Sequence, residues 1–180
     1  MKEQLPQPSP EHPPTADDNA RKFIIAPLGN DFPLDHDAVS FDLVVDWLET
    51  NEDREQKLAH KTYSDGSIEI RHITKTVDEA GKRSSAKPLI GSDRYKELLP
   101  ATSVHLEKKR YEFSYTQAGV VFKCNYDEFA DSDLRILEVD APDERTRQSF
   151  DPSQFPATLK EVTGDIRYYG YRIIQLLATS

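Results

Sequence analysis

Only one of the 180 residues is a cysteine, Cys124, which excludes an intramolecular disulfide and any cysteine-built metal cluster. It falls on the apolar side of an alternating run, where a lone thiol packs as a small hydrophobe and does not serve as a nucleophile. Long apolar runs are missing as well. Nothing approaches the roughly 20 residues that span a bilayer, and the N-terminus has no signal-type apolar core. The chain therefore reads as cytoplasmic, with no membrane partner. Positive charge is in short supply: 23 Lys and Arg face 32 Asp and Glu, for a net charge of −9 and a pI near 5.0. Such a field repels nucleic acid and anionic membranes, so any anion site has to be a local basic cluster. There is no Walker-type glycine-rich phosphate loop and no Gly-x-Ser-x-Gly elbow. His60, His72 and His105 lie in or beside strand-like runs but lack a regular metal-ligand spacing.

What is present suits one modest core, since 37% of the residues are hydrophobic. Residues 1–19 hold five of the twelve prolines and almost no apolar side chains. That composition cannot offset the entropy of ordering, so a disordered leader is expected there, followed by one domain over 20–180. The domain opens on a strand, RKFII, in which Phe23 and Ile25 oppose Lys22 and Ile24, and a loop with Gly29, Asn30 and Pro33 follows it. Phe41, Val44, Val45 and Leu48 recur at i, i+3, i+4 and i+7, which predicts a helix from about Asp37 to Asn51 that covers or plugs the sheet, with Trp47 on its flank. Ser64-Asp65-Gly66 between two strand-like runs predicts a hairpin. A second turn at Gly81 leads to a strand ending at Lys87. SDRYKELL reads as a short helix capped by Ser92, with Tyr95, Leu98 and Leu99 inward. Farther on, a polar helix starting near Pro142 and a last helix capped by Asp165 are expected, the latter using Ile166, Ile173, Ile174 and Leu177.

The most informative third runs from His105 to Gly170. Tyr111, Phe113 and Tyr115 alternate with Arg110, Glu112 and Ser114. Val120, Phe122, Cys124 and Tyr126 alternate with Val121, Lys123, Asn125 and Asp127, and Leu137 and Val139 with Glu138 and Asp140. Period two sends the apolar set one way and the charged set the other. Two architectures fit: an open antiparallel sheet with one wetted face, or a closed barrel whose lumen carries both signs of charge.

The order RKFII, IEIR, a strand ending in Lys87, LEKKRY, a run ending LEVD, and EVTGDIRYY resembles the CYTH, or triphosphate tunnel metalloenzyme, superfamily from about Arg21 to Tyr169. EVTGD followed by a basic residue and tyrosine is its most specific part, and EKKRY the next. The resemblance implies an α+β fold, a closed or nearly closed antiparallel β-barrel with flanking helices. It implies a metal-dependent phosphohydrolase acting on a triphosphate or polyphosphate compound with Mg²⁺ or Mn²⁺. In such chemistry bases contact phosphate oxygens while carboxylates hold a hard cation. Carried onto this sequence, Glu138, Asp140 and Glu161 would hold metal, and Lys22, Arg71, Lys87, Arg110 and Arg167 would contact phosphate. Each is also what a cross-strand ion pair would use.

The departures are on the same strands. The Glu-x-Glu-x-Lys pattern of the family reads Asp18, Ala20 and Lys22 here, Glu69 replaces the first arginine of an Arg-x-Arg pair, and Lys123 and Asn125 replace a Glu-x-Asp. A lysine repels a divalent cation and an asparagine brings oxygen without charge. Glu69 and Lys123 would neutralise each other if they faced across a lumen. These losses support an alternative, a catalytically reduced relative that binds a polyanion or a protein partner without turnover. The family also includes class IV adenylate cyclases, but cyclase activity is the weaker reading here, since nothing in the sequence identifies a purine pocket.

Overall fold

The computed structural model describes residues 20–29, 37–51, 53–80 and 83–178, without the side chains of Glu49 and Arg83. The expected leader, the loop residues Asn30 and Pro33, Asp18 and the turn glycine Gly81 lie outside the described residues. Among the described residues nine strands run β1 Arg21–Ile25, β2 Val39–Thr50, β3 Arg54–Tyr63, β4 Ile68–Val77, β5 Arg83–Ala86, β6 Val104–Gln117, β7 Val120–Phe129, β8 Arg135–Asp140 and β9 Leu159–Glu161. The helices are α1 Ser92–Leu98, α2 Glu144–Gln148 and α3 Ile173–Leu177, with short 3₁₀ turns between. The strands form one antiparallel sheet in the order β5-β4-β3-β2-β6-β7-β8-β1-β9. Hydrogen bonds do not join its two edge strands among the described residues.

The sheet nevertheless curls. β1 and β3 are five positions apart, which in a flat sheet is roughly 24 Å at the usual strand spacing. Yet Lys22 of β1 sits over the ring of Tyr169 at 3.9 Å, and the next residue, Gly170, lies so close to β3 that a Cβ there would be 3.8 Å from Glu55 Oε2. Side chains stand roughly perpendicular to a sheet, so adjacent residues could not meet both strands across a flat one of that width. The C-terminal segment thus lies inside the curl and links its two sides.

β2 corrects the expected helix over 37–51. Phe41, Leu43, Val45 and Trp47 are buried on the inner face, at 2%, 7%, 7% and 3% exposure, while Val44 and Leu48 are half-buried on the outer face beside buried Asp46. A strand whose second face is partly covered also carries apolar residues there, and a helical stripe can be picked out of such a run by coincidence. The β-branched valines and two aromatics favour the strand. The plug expected of that segment comes instead from the C-terminus. Ile173 packs with Val45, Trp47, Ala59, Leu106, Phe129 and Ile136 at one end of the inner face.

That C-terminal stretch is not the single helix expected. Asp165 does cap, accepting from Arg167 N, but only a 3₁₀ turn, and Gly170 then takes φ +54° in the left-handed region before α3 begins. Residues other than glycine are disfavoured at such a position. The other helices shift slightly: α1 follows Gly91 with no side-chain cap and buries no residue fully, and α2 is capped by Asp143, which accepts from Thr146 N. The Ser64–Gly66 hairpin joins β3 to β4 as expected, with Gly66 at φ +82°. The outer face of β1, β6, β7 and β8 holds a second core, Phe23, Phe113, Phe122, Cys124, Tyr126, Leu137 and Val139, roofed by Phe150 and Phe155.

Candidate functional site

Antiparallel register sorts the inner face into rungs. Next to the apolar plug is the rung Lys61–Leu43–Lys108–Phe129, followed by Tyr63–Phe41–Arg110–Asp127–Ile136. Beyond it come Val39–Glu112–Asn125–Glu138–Lys22 and then Ser114–Lys123–Asp140. Apolar side chains thus give way to charge within two rungs. The outermost pair, Lys123 and Asp140, is exposed.

Five charged groups meet in the middle rungs. Asp127, 1% exposed, accepts from Arg110 Nε at 2.6 Å, from Arg110 Nη2 at 2.7 Å and from Lys108 Nζ at 2.6 Å. Glu138 takes Lys22 Nζ at 3.0 Å on one oxygen, and Arg110 Nη2 at 3.4 Å and Asn125 Nδ2 at 3.5 Å on the other. Lys22 is held further by the Tyr168 carbonyl at 3.4 Å and the Tyr169 ring. These five sum to three bases against two acids, with Glu112 of the same rung and Lys61 paired beside them at 3.8 Å.

Burial works against every charge here, and the partners decide the outcome. For Asp127, burial pushes the carboxyl up, but Arg110 and then Lys108 outweigh it and hold the group below the usual carboxylate range. Glu138 is also held well below its ordinary value, Lys22 and Arg110 overcoming the burial. Burial would weaken the charge on Arg110, yet Asp127 raises it further. Lys108 goes the other way, brought down to about 8 by burial and by the neighbouring Arg110.

The expected site residues separate into groups. Lys22, Arg110 and Glu138 come together. Asp140 shares their face but is at the rim, where its Oδ1 accepts from Ala141 N at 2.8 Å and meets Arg147 at 3.3 Å. Glu161 pairs in register with Phe23 on the opposite face, where it accepts Arg21 Nε and Nη2 at 2.9 Å each. Hydrogen bonding from Arg21 lowers its pKa. Arg71 stands on β4, donating to Glu69 at 2.8 Å and to the Lys87 carbonyl at 2.8 Å. Lys87 is exposed beyond β5, and Arg167 is an exposed partner of Asp165. Glu69 is taken by Arg71 and, at 3.8 Å, by Lys61, so it does not pair with Lys123 as considered above. Two central residues, Lys108 and Asp127, are not among those the resemblance implies. The signal was there: Lys108 is two residues before Arg110, and Asp127 two after Asn125, which on a strand is the same face.

Glu138, Asp140 and Glu161 do not fit a divalent cation as a set. One is on the far face, one is at the rim beside Arg147, and both oxygens of the third meet bases. Among the described residues no group of three or more His, Cys, Asp or Glu is arranged to hold a metal ion.

No family model matches the sequence, and no curated protein sequence matches it. The class of fold is shown by solved structures: a large antiparallel sheet with few helices, of the triphosphatase kind, which agrees with a CYTH-like fold. The crystal structure of the inorganic triphosphatase NE1496 is similar at 26% identity and a TM-score of 0.57, over 86% of this chain and 91% of that one. A second crystal structure of NE1496, described as a hypothetical protein, is similar at 25% identity and a TM-score of 0.55, over 86% and 94%. No helix among the described residues is long and apolar enough to cross a membrane.

Proposed function

We propose that this chain binds a triphosphate or polyphosphate compound on the charged inner face of its curled sheet, and that hydrolysis of a phosphoanhydride bond is its activity class. The observation that supports this reading is the buried cluster of Lys22, Lys108 and Arg110 in a fold similar to an inorganic triphosphatase over most of both chains. Phosphoryl transfer depends chiefly on positioning and charge neutralisation, so such bases are the groups that would hold the phosphate oxygens. A second reading, binding without turnover, is favoured by a specific observation: the buried acids Asp127 and Glu138 are already neutralised by bases. Phosphate release from tripolyphosphate, ATP and thiamine triphosphate, run beside calorimetric binding of the same compounds, separates them. Release that disappears in Arg110→Ala supports hydrolysis. Binding with no release supports the second reading, and neither binding nor release removes both.

A further inference from the structure

The disagreement between the expected metal ligands and the observed pairing leads to a more specific inference, which rests on the polyphosphate reading above. We infer that the inner face takes a linear polyphosphate directly on its own cations, staged from Lys123 at the rim through Arg110 and Lys61 to Lys108, without a divalent ion held by the protein's carboxylates.

A hard divalent ion needs carboxylate oxygens with free lone pairs in negative surroundings. Here each Asp127 oxygen is 2.6 or 2.7 Å from a guanidinium or ammonium nitrogen, and the Glu138 oxygens are 3.0 and 3.4 Å from Lys22 and Arg110. An ion on either carboxylate would sit within a few ångström of two fixed positive charges. Lys123 adds a third on the rung above, directly opposite Asp140. The groups that exclude a cation are those that attract an anion.

Some donor capacity also remains. Among the described residues Arg110 spends Nε and Nη2 on acids and leaves Nη1 without a protein acceptor, its side chain 16% exposed. Lys61 is 23% exposed and reaches Glu69 and Glu112 only at 3.8 Å each, contacts a phosphate oxygen would outcompete. Register puts Lys61 and Lys108 on one rung and Arg110 on the next. A ligand with several charges along one chain fits a ladder of this kind better than a single phosphate does.

The test is calorimetry of sodium tripolyphosphate binding to the full chain, once with EDTA and once with excess Mg²⁺. Binding with EDTA that is as tight as with Mg²⁺, or tighter, is expected, because Mg²⁺ would only mask ligand charge. Glu138→Gln separates the two schemes by sign. Removing an acid that competes for Lys22 and Arg110 should tighten metal-free binding by about tenfold, whereas loss of a metal ligand would weaken it. Lys61→Met, which gives up only ion pairs at 3.8 Å and a cation over the Phe41 ring at 4.4 Å, should weaken binding by about tenfold and serves if Glu138→Gln does not fold. Binding seen only with Mg²⁺ or Mn²⁺ overturns the inference and leaves the proposed ligand class standing. No binding in either buffer overturns the ligand class itself, and the inference with it.

Discussion

Asp127 shows how much one side chain holds in place. It is the acid on which Lys108 and Arg110 converge, and it is fully enclosed. Taking away one member of a buried ion network leaves its partners charged and desolvated, at a cost of about 3–5 kcal/mol. Asp127→Ala should lose that much in urea unfolding, and a loss under about 1 kcal/mol would mean the cluster is hydrated. His105, on the outer face, is a milder case. Its Nδ1 is 2.7 Å from Asp46 and its Nε2 2.9 Å from Glu107, with Tyr95 hydrogen-bonded to Asp46 at 3.1 Å and His60 stacked on Tyr95. The carboxylates, Glu107 first and Asp46 second, raise the imidazole's pKa over the opposing effect of burial. A base with a raised folded pKa adds stability that is complete below its unfolded value, about 6.5, and is lost as pH rises through the folded value. Because the ring is 55% exposed, solvent screening keeps the effect under about 1 kcal/mol. Melting midpoints should therefore fall between acid and alkaline pH in the wild type, and less so in His105→Gln. An equal fall in both would show that the imidazole is not responsible. Cys124 was the most legible residue in the sequence: 1% exposed, its thiol is pushed up to about 12 by burial. Thiol reagents should label it only after denaturation.

At the level of elements, legibility followed the number of wet faces. The strands around Tyr111, Phe122 and Leu137 were readable because alternation survives wherever one face keeps its charge, and the β3–β4 hairpin because Asp65-Gly66 leaves few other turns. β2 was not, since Val44 and Leu48 on its partly covered outer face add apolar residues between Phe41, Leu43, Val45 and Trp47 and so mimic a helical stripe. The C-terminal stretch misled in the opposite sense. Of the four apolar contacts expected, Ile173, Ile174 and Leu177 are made and Ile166 is exposed; the positive φ of Gly170 breaks the helix into short turns, and a glycine in the interior of a periodic run does not announce that conformation. The plug this segment forms is testable. Ile173 is 4% exposed among Trp47, Leu106 and Phe129, so Ile173→Ala should cost about 2–5 kcal/mol. Gly170→Ala should cost about 1–2 kcal/mol for the backbone alone, since its new Cβ would meet Glu55 at an ordinary 3.8 Å. A larger cost for Gly170→Ala than for Ile173→Ala would argue that backbone shape holds the segment more than its packing does.

For the whole molecule, the contrast is between a net charge of −9 and an inner face where bases outnumber buried acids. Long-range repulsion and short-range attraction would then act on the proposed anionic ligand, and salt would affect them differently. Raising ionic strength from about 0.01 to 0.1 M shortens the Debye length from about 30 to about 10 Å. That removes most of the repulsion an approaching polyphosphate feels from the outer surface. The bases at the middle rungs, with Lys108 12% and Arg110 16% exposed, are screened much less, because part of their surroundings is protein. The association rate for tripolyphosphate should therefore rise or stay level over this range, where a basic nucleic-acid-binding surface would slow steeply. Stopped-flow mixing with a fluorescently tagged polyphosphate measures this directly. A rate that drops with salt would place the binding charges on the open surface, outside the curl of the sheet, since only exposed cations acting at long range lose their attraction in that way.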